Sequence, residues 1–205
     1  MKLVISSLES KDLEDFTNLA RTTFVESYKS VDSAYYIKKH LAKYITLENL
    51  RKEFNTRRNH FLIARIDEEP VGFCKLVGDE NEDHPFLIKH RSIELERLYV
   101  LKKHQHLGVG HYLIKHCLDV AAASSYEIIW LGVSDKNKFA LEVFKQCGFI
   151  YFDTHLFDFG GQKQLDIMMK RPVKYQEGDL LQQKKIKNWI QKFKKYLLYL
   201  SCRLK

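Results

Sequence analysis

Two glutamates two residues apart, Glu94 and Glu96 in the segment SIELERLYV, are the first residues here able to do acid–base chemistry. A carboxylate can draw in a cationic amine and take its proton. A lysine-like amine titrates near ~10.4, so making it neutral at about pH 7.4 costs about 4 kcal/mol. On an extended strand residues two apart point to one face, which would aim both carboxylates at the same space. The alternative is a solvated strand face with ordinary charges. Spacing does not choose between Glu94 and Glu96 as the base.

The chain then passes through a basic stretch, Lys102 to Leu107, and resumes an apolar pattern with glycines at 108 and 110. A helix beginning there would present N–H groups with no partner inside the helix, at the positive end of its dipole. That is a site for an anion, phosphate above all. Gly108 and Gly110 would let oxygens approach the backbone closely, and Lys102, Lys103 and the nearby histidines would add positive potential. The plain alternative is a strand–helix turn tightened by glycines. Two known phosphate motifs do not fit. A P-loop needs Lys-Ser/Thr where His111-Tyr112 stand, and a dinucleotide fingerprint needs a third glycine where Leu113 stands.

Other reactive residues carry less. His104, His106, His111 and His116 cluster in sequence, but His111 and His116 are five apart rather than three or four, and no matching carboxylate or thiol set accompanies them. No metal is expected. Cys147 beside Gly148 has no His/Asp constellation and reads as packing.

The elements that must position these residues follow from periodicity. A strand is expected over 2–6, a helix over 11–29 capped by Ser10, and shorter helices over 33–43 and 46–56. Phe61–Ile66 and Val71–Val77 flank the turn Asp67-Glu68-Glu69-Pro70 and read as a hairpin. Residues 79–90 read as a loop broken at Asp83-His84-Pro85. A strand over 92–100, a helix over 108–123, a strand over 127–133 and a helix over 136–147 come next, then strands over 149–158 and 164–171. The order gives an α/β fold, a mixed central sheet flanked by helices.

The turn and the segment after it also carry a resemblance. Gln105-His106-Leu107-Gly108-Val109-Gly110 follows ERLYV and resembles the Gln/Arg-x-x-Gly-x-Gly/Ala acetyl-CoA motif of the GNAT family of N-acetyltransferases. SDKNKFALEVFKQCGFI, residues 134–150, is similar to the family's second block through Asn137, Ala140, Gly148 and Phe149. The resemblance covers about 1–172. FDFGGQKQLDIMMKR further resembles the spermidine/spermine-type bacterial branch. It implies acetyl-CoA as cosubstrate and direct transfer of acetyl to a primary amine, a small molecule such as a polyamine. It implies that Leu98, Tyr99 and Val100 run beside the pantetheine arm, with Leu98 and Val100 hydrogen-bonding it. It also implies that residues 105–111, namely Gln105, His106, Leu107, Gly108, Val109, Gly110 and His111, cradle the diphosphate, and that Asn137 contacts the cofactor from across the cleft. One position departs: where many members carry a tyrosine as general acid, this chain has Phe144, which has no proton to give. Tyr99, Tyr112 and Tyr151 are the candidate replacements. The competing reading is an acetyl-CoA-binding protein with weak or no catalysis.

Charge separates the chain into two parts. The total is +8, but from Lys174 onward nine basic residues face two acidic ones, leaving +1 for residues 1–173. The main domain, 1–172, therefore need not be a nucleic-acid surface. In 173–205, Lys185, Asn188, Lys192 and Lys195 interleave with Ile186, Trp189, Ile190, Phe193, Leu197 and Leu200, the pattern of a basic amphipathic helix. Three readings stand for it: a helix packed on the domain or on a homodimer partner, a membrane-surface helix drawn to anionic lipid, and a nucleic-acid contact. No 20-residue apolar run occurs, the opening MKLVISSLES is too short in apolar length for an export signal, and the four scattered cysteines read as reduced thiols. The expectation is a cytoplasmic protein, peripheral to membrane if the tail binds lipid.

Overall fold

A hairpin starts the sheet. Strands β2 (Asn59–Ile66) and β3 (Glu69–Gly78) are joined by Asp67 and Glu68, both at positive φ, 48° and 71°. That two-residue turn carries the twist that antiparallel strands need. The computed structural model describes residues 2–29, 33–79, 84–159 and 162–174. β1 (Leu3–Ser7) pairs with β2, and β4 (Ser92–Val100) pairs with β3. β5 (Ile128–Ser134), β6 (Ile150–Phe159) and β7 (Gln162–Pro172) complete one seven-stranded sheet in the order β1-β2-β3-β4-β5-β7-β6. The β4–β5 pair is parallel and every other pair antiparallel.

Helices cover both faces. On one side α1 (Leu13–Tyr28), α2 (Ala34–Lys43) and α3 (Leu47–Phe54) pack against β2–β4. Phe16 meets Phe61 and Phe73 edge-on at 5.5 and 4.9 Å. The apolar spacing Leu13, Phe16, Leu19, Ala20, Thr23 and Phe24 buries as the helical pattern requires. On the other side α4 (Val109–Ala123) and α5 (Lys138–Gln146) cover a core of Cys74, Leu76, Ile93, Leu95, Ile129 and Leu131.

The helix start at Ser10 is corrected. Residues Ser10–Asp12 form a 3-10 turn, and Asp12 holds it by accepting from the Glu9 N–H at 3.2 Å and pairing with Arg65 at 3.0 Å. Residues 84–90 are also more ordered than a loop reading suggests. Leu87 packs fully buried with Trp130 and Met168, His84 Nε2 bonds Asp153 Oδ2 at 2.8 Å, and Lys170 Nζ stands 3.0 Å from the Phe86 ring centre. This segment covers β5–β7 on the α1–α3 face, so that face has two covers with a gap over β4 and β5. Val173 donates to Glu127 C=O at 2.9 Å and is buried, so the domain's packing reaches one residue past β7. The basic amphipathic helix expected in the tail lies outside the described residues beyond Lys174. Among the described residues no helix is long and apolar enough to cross a membrane.

One charge cluster fastens α3 to the sheet. Lys75, 5% exposed in the middle of β3, pairs with Glu53 on α3 at 3.0 Å and Glu96 on β4 at 2.6 Å. Arg97 grips both oxygens of Glu53 at 2.9 and 3.0 Å and reaches Glu96 at 3.0 Å. Burial alone would push the Glu53 carboxyl up, but Arg97 and Lys75 outweigh it and hold it below its usual range. The stability from that shift is present above the ordinary carboxylate pKa and is lost as pH falls through the lowered value. Replacing Lys75 with Met leaves Glu53 and Glu96 to share Arg97 alone of their two cations. We expect a loss of about 2 kcal/mol in urea unfolding at pH 7, below the usual cost for a broken buried pair because both carboxylates keep some contact with water. The loss should shrink below pH 4.

Candidate active site

The sheet opens in its middle. β4 and β5 are paired only at Ser92–Ile128, Ile93–Ile129 and Glu94–Trp130, although β4 runs on to Val100 and β5 to Ser134. A bulge accompanies the parting. Lys75 faces Arg97 and Leu76 faces Leu95, so Glu96 is an extra residue in β4. It places Glu96 and Arg97 together on the α3 side while Leu95 and Leu98 both pack on the α4 side. Glu94 is opposite Val77 and shares the α3 side, so the two glutamates do lie on one face.

Past the bulge, β4 turns part of its backbone to the opening. Leu101 N–H donates to Val71 C=O at 2.9 Å, and hydrogen-bonding direction alternates along a strand. Leu98 and Val100 therefore direct their N–H and C=O groups away from β3, toward the gap. The Val100 carbonyl accepts from Gln105 Nε2 at 3.1 Å, which ties the basic loop to the strand end. Tyr99 points its ring the other way, 5.6 Å from Phe73, and its hydroxyl bonds Tyr28; burial raises its pKa.

The glycine turn lies at the α4 end of the gap. His106 and Gly108 adopt positive φ, 62° and 81°, and α4 begins at Val109. The Lys102 N–H bonds Glu26 at 2.7 Å, anchoring the loop to α1. Tyr112 N–H makes the first helical bond, to Gly108 C=O at 3.1 Å, and the preceding N–H groups, those of Val109 and Gly110, lie at the open end of the helix. Val109 is buried, so only its backbone can serve a ligand, and Leu107 packs partly against the core. Two of the histidines, His104 and His111, do not supply the positive charge expected of them. Burial lowers the pKa of His111, and burial with the Lys103 charge lowers that of His104, so both are neutral at pH 7. The positive potential comes from the helix end and the exposed lysines.

Across the opening, Asn137 Oδ1 accepts from Ala140 N–H at 3.0 Å, capping α5. Asn137 and Ala140 both line the cleft, and His106 meets the Phe139 ring edge-on at 5.0 Å. Phe144 is buried against Phe149 at 5.6 Å, and Gly148 at φ 85° turns the chain out of α5. Cys147 is buried, and its thiol is pushed up to about 12 by that burial. It is a packing residue. Among the described residues no three His, Cys, Asp or Glu side chains converge as metal ligands would.

These parts surround a continuous cleft of about 870 Å³ that passes from the glycine turn through the sheet to the α1–α2 side. Its far end is acidic and aromatic, with Glu94, Asp166, Tyr28, Tyr44, Tyr99 and Trp130. Glu96 also lines it, but Lys75 and Arg97 already hold its carboxylate. Asp166 and His155 were not singled out from sequence. They face each other across β7 and β6, and Asp166 faces Ser134 across β7 and β5. Burial pushes the Asp166 carboxyl up to about 6, with His155 opposing and Asp135 adding to the rise. The available signal was a charged residue between Gln164 and Met168, which both turn out buried.

A model of the family described as Acetyltransferase (GNAT) family matches residues 13–149. An uncharacterized N-acetyltransferase from the pepI 3' region of Lactobacillus delbrueckii subsp. lactis is 29% identical over 169 residues, 82% of this chain and 96% of that protein. An uncharacterized N-acetyltransferase of Mycobacterium tuberculosis (strain H37Rv) is 31% identical over 117 residues, 57% of this chain and 69% of its own. Among solved structures, the PaiA N-acetyltransferase of Thermoplasma acidophilum, in complex with coenzyme A, superposes with a TM-score of 0.70 at 23% identity, covering 84% of this chain and 99% of that one. The spermidine/spermine N-acetyltransferase SpeG of Vibrio cholerae, in complex with manganese ions, does so with a TM-score of 0.60 at 20% identity, covering 84% and 93%. At those identities the two structures speak to the fold.

Gly110 shows what the turn is not shaped for. A Cβ built there would meet only Leu98 Cδ2, at 3.9 Å, so packing does not demand glycine. Gly110→Ala should therefore stabilise the protein by about 0.5 kcal/mol in chemical unfolding, the usual gain for a helical glycine.

Proposed function

The chain belongs to the GNAT family of acetyltransferases, and on that premise we propose that it moves acetyl from acetyl-CoA directly to a primary amine, a small polyamine-like molecule being the acceptor class. The observation that carries this reading is the parting of β4 and β5, which leaves strand backbone open to a ligand between an anion site and an acidic, aromatic pocket. The helix end with residues 105–111 suits a diphosphate. Leu98 offers its N–H and C=O, and Val100 its N–H, to an amide-bearing arm lying along β4. Asn137 and the α5 start close the other wall.

The pocket on the α1–α2 side suits a cation. Aromatic faces attract ammonium groups, and acidic side chains raise its local concentration. Glu94 lines the acidic end of the cleft at the point where the strands part, so we take Glu94 as the carboxylate that orients the amine. Its nitrogen, once neutral, attacks the thioester carbonyl. The C–N bond forms, the C–S bond breaks, and the thiolate leaves with the electron pair. A thiol titrating near ~8.5 is a tolerable leaving group, so loss of a dedicated acid at Phe144 slows the reaction without forbidding it. The PaiA structure holding coenzyme A supports the donor, and SpeG, a spermidine/spermine enzyme of the same fold, supports the acceptor class more distantly.

Phe144 favours a second reading, an acetyl-CoA-binding protein with little turnover. Coenzyme A release with polyamines, aromatic monoamines and lysine peptides separates the two. In calorimetry, acetyl-CoA should bind at micromolar concentration, and Gly110→Glu should weaken it more than tenfold with the fold intact, because a carboxylate would occupy the anion site. Absence of binding to the folded wild type at millimolar ligand would end both readings. Glu94→Gln should raise KM for the amine about tenfold and leave acetyl-CoA affinity unchanged, as expected for one lost charge contact.

A further inference from the structure

One glycine on β5 gives a side chain from the next strand access to the cleft. Trp130, Gly132 and Ser134 are the β5 residues on the α1–α3 face, since Ile129, Leu131 and Val133 pack on the α4 side. β4 has already left β5 at Gly132, because their pairing ends at Glu94–Trp130. The Asp166 carboxyl leans into the space where a Gly132 side chain would be. A Cβ there would stand 3.4 Å from Asp166 Oδ2 and 3.7 Å from Asp166 Cβ. Gly132 is exposed, so the path over it to the cleft is open. Asp166 and His155 both line that cleft with Glu94 and Tyr99, and His155 is solvent-exposed on the far side of Asp166.

We propose that Asp166 is the catalytic base of this protein, taking the proton of the acceptor ammonium over Gly132, with His155 as the positioning residue that passes the proton to water. The proposal rests on the acetyl-transfer reading above. The ammonium gives one proton to an Asp166 oxygen, and the neutral nitrogen keeps the electron pair that forms the C–N bond. The second proton leaves the nitrogen as the amide forms and goes to the departing thiolate. One proton is released overall, and Asp166 returns to its anionic form through His155.

The surroundings suit a base. A half-buried carboxyl titrating near 6 is ionised at neutral pH yet binds a proton about a hundredfold more tightly than an ordinary aspartate. The groups that face it are His155 on β6, Asp135 at the end of β5, and Tyr99 and Glu94 across the gap on β4. Because the folded-state value is raised, ionised Asp166 costs stability at neutral pH, and the protein gains stability as pH falls from about 6 toward the ordinary aspartate range. Asp166→Asn removes that cost, so the variant is expected to fold at least as well as wild type at pH 7.5.

The test follows coenzyme A release from acetyl-CoA with spermidine, benzylamine and a lysine peptide as probes, between pH 5 and 9. Asp166→Asn should lower kcat/KM about a hundredfold, the usual contribution of a positioned base, while acetyl-CoA affinity by calorimetry stays within twofold. Wild type should lose activity below pH 6, and that limb should vanish in Asp166→Asn. His155→Gln should lower kcat by a smaller factor and leave KM for the amine unchanged. An active wild type whose Asp166→Asn variant keeps activity within threefold and the same pH limb overturns the role of Asp166 alone. Should the variant lose acetyl-CoA affinity, wild type decides: no inflection between pH 5 and 7 overturns it. A wild type that acetylates none of the three amines overturns the acetyl-transfer reading, and this one with it.

Discussion

A parallel strand pair that stays joined for only three residues is the constraint on which the rest of this protein depends. Backbone N–H and C=O groups must be satisfied, and the unpaired lengths of β4 and β5 leave a row of them facing each other across a gap. An open sheet of this kind survives because each strand is held firmly on its other edge. β4 is paired with β3 along its length, and β5 with β7 over seven positions. The sheet is thus two stable halves meeting at a short seam, with a cleft below it that a linear ligand can thread.

The bulge at Glu96 and the cluster around Lys75 belong to this arrangement. An extra residue in β4 sharpens its twist just past the point where pairing with β5 stops. It also puts a glutamate and an arginine side by side on the α3 face, where Lys75 and Glu53 complete a set of two cations and two anions. The charges compensate one another, which is what allows a nearly buried lysine in the middle of a strand. α3 is thereby fixed against the strand that borders the cleft. Glu96 is held in the sheet's architecture, while Glu94, two residues earlier, lies at the seam itself.

The two ends of the cleft have opposite electrostatic character, and separate elements supply each. The α4 start contributes the N–H groups of its first turn, with the dipole behind them. The other end gathers acidic and aromatic side chains from α1, α2, β4, β5 and β7. The cleft crosses the sheet between them, and its two ends join where the strands part. Half-burial matters for the same reason: Asp166 is sheltered enough for its carboxyl to titrate near 6 and open enough to be reached.

Much of this was legible in the residues themselves. Apolar periodicity placed the helices and strands to within a few residues, the Asp67-Glu68 turn marked a hairpin, and Gly108 with Gly110 marked a helix start. These are local properties, set by backbone conformation and by which side chains lie three, four or two positions apart. The α1 start falls after Asp12 rather than after Ser10, and Asp12 pairs with Arg65, more than fifty residues away, a contact no local pattern shows. Lys75 in an apolar strand signalled a buried charge, but only folding names Glu53 and Glu96 as its partners. Glu94 and Glu96 look equivalent in sequence, and strand pairing separates them: Glu94 ends the seam with β5, and Glu96 is the bulged residue of β4. Asp166 reaches the cleft because Gly132, on a strand 34 positions earlier, has no side chain to block it. Sequence determined the elements and the glycine turn at the start of α4, since those depend on neighbours along the chain. Tertiary structure decided which carboxylates face the cleft, since strand register and the charges of distant residues set that.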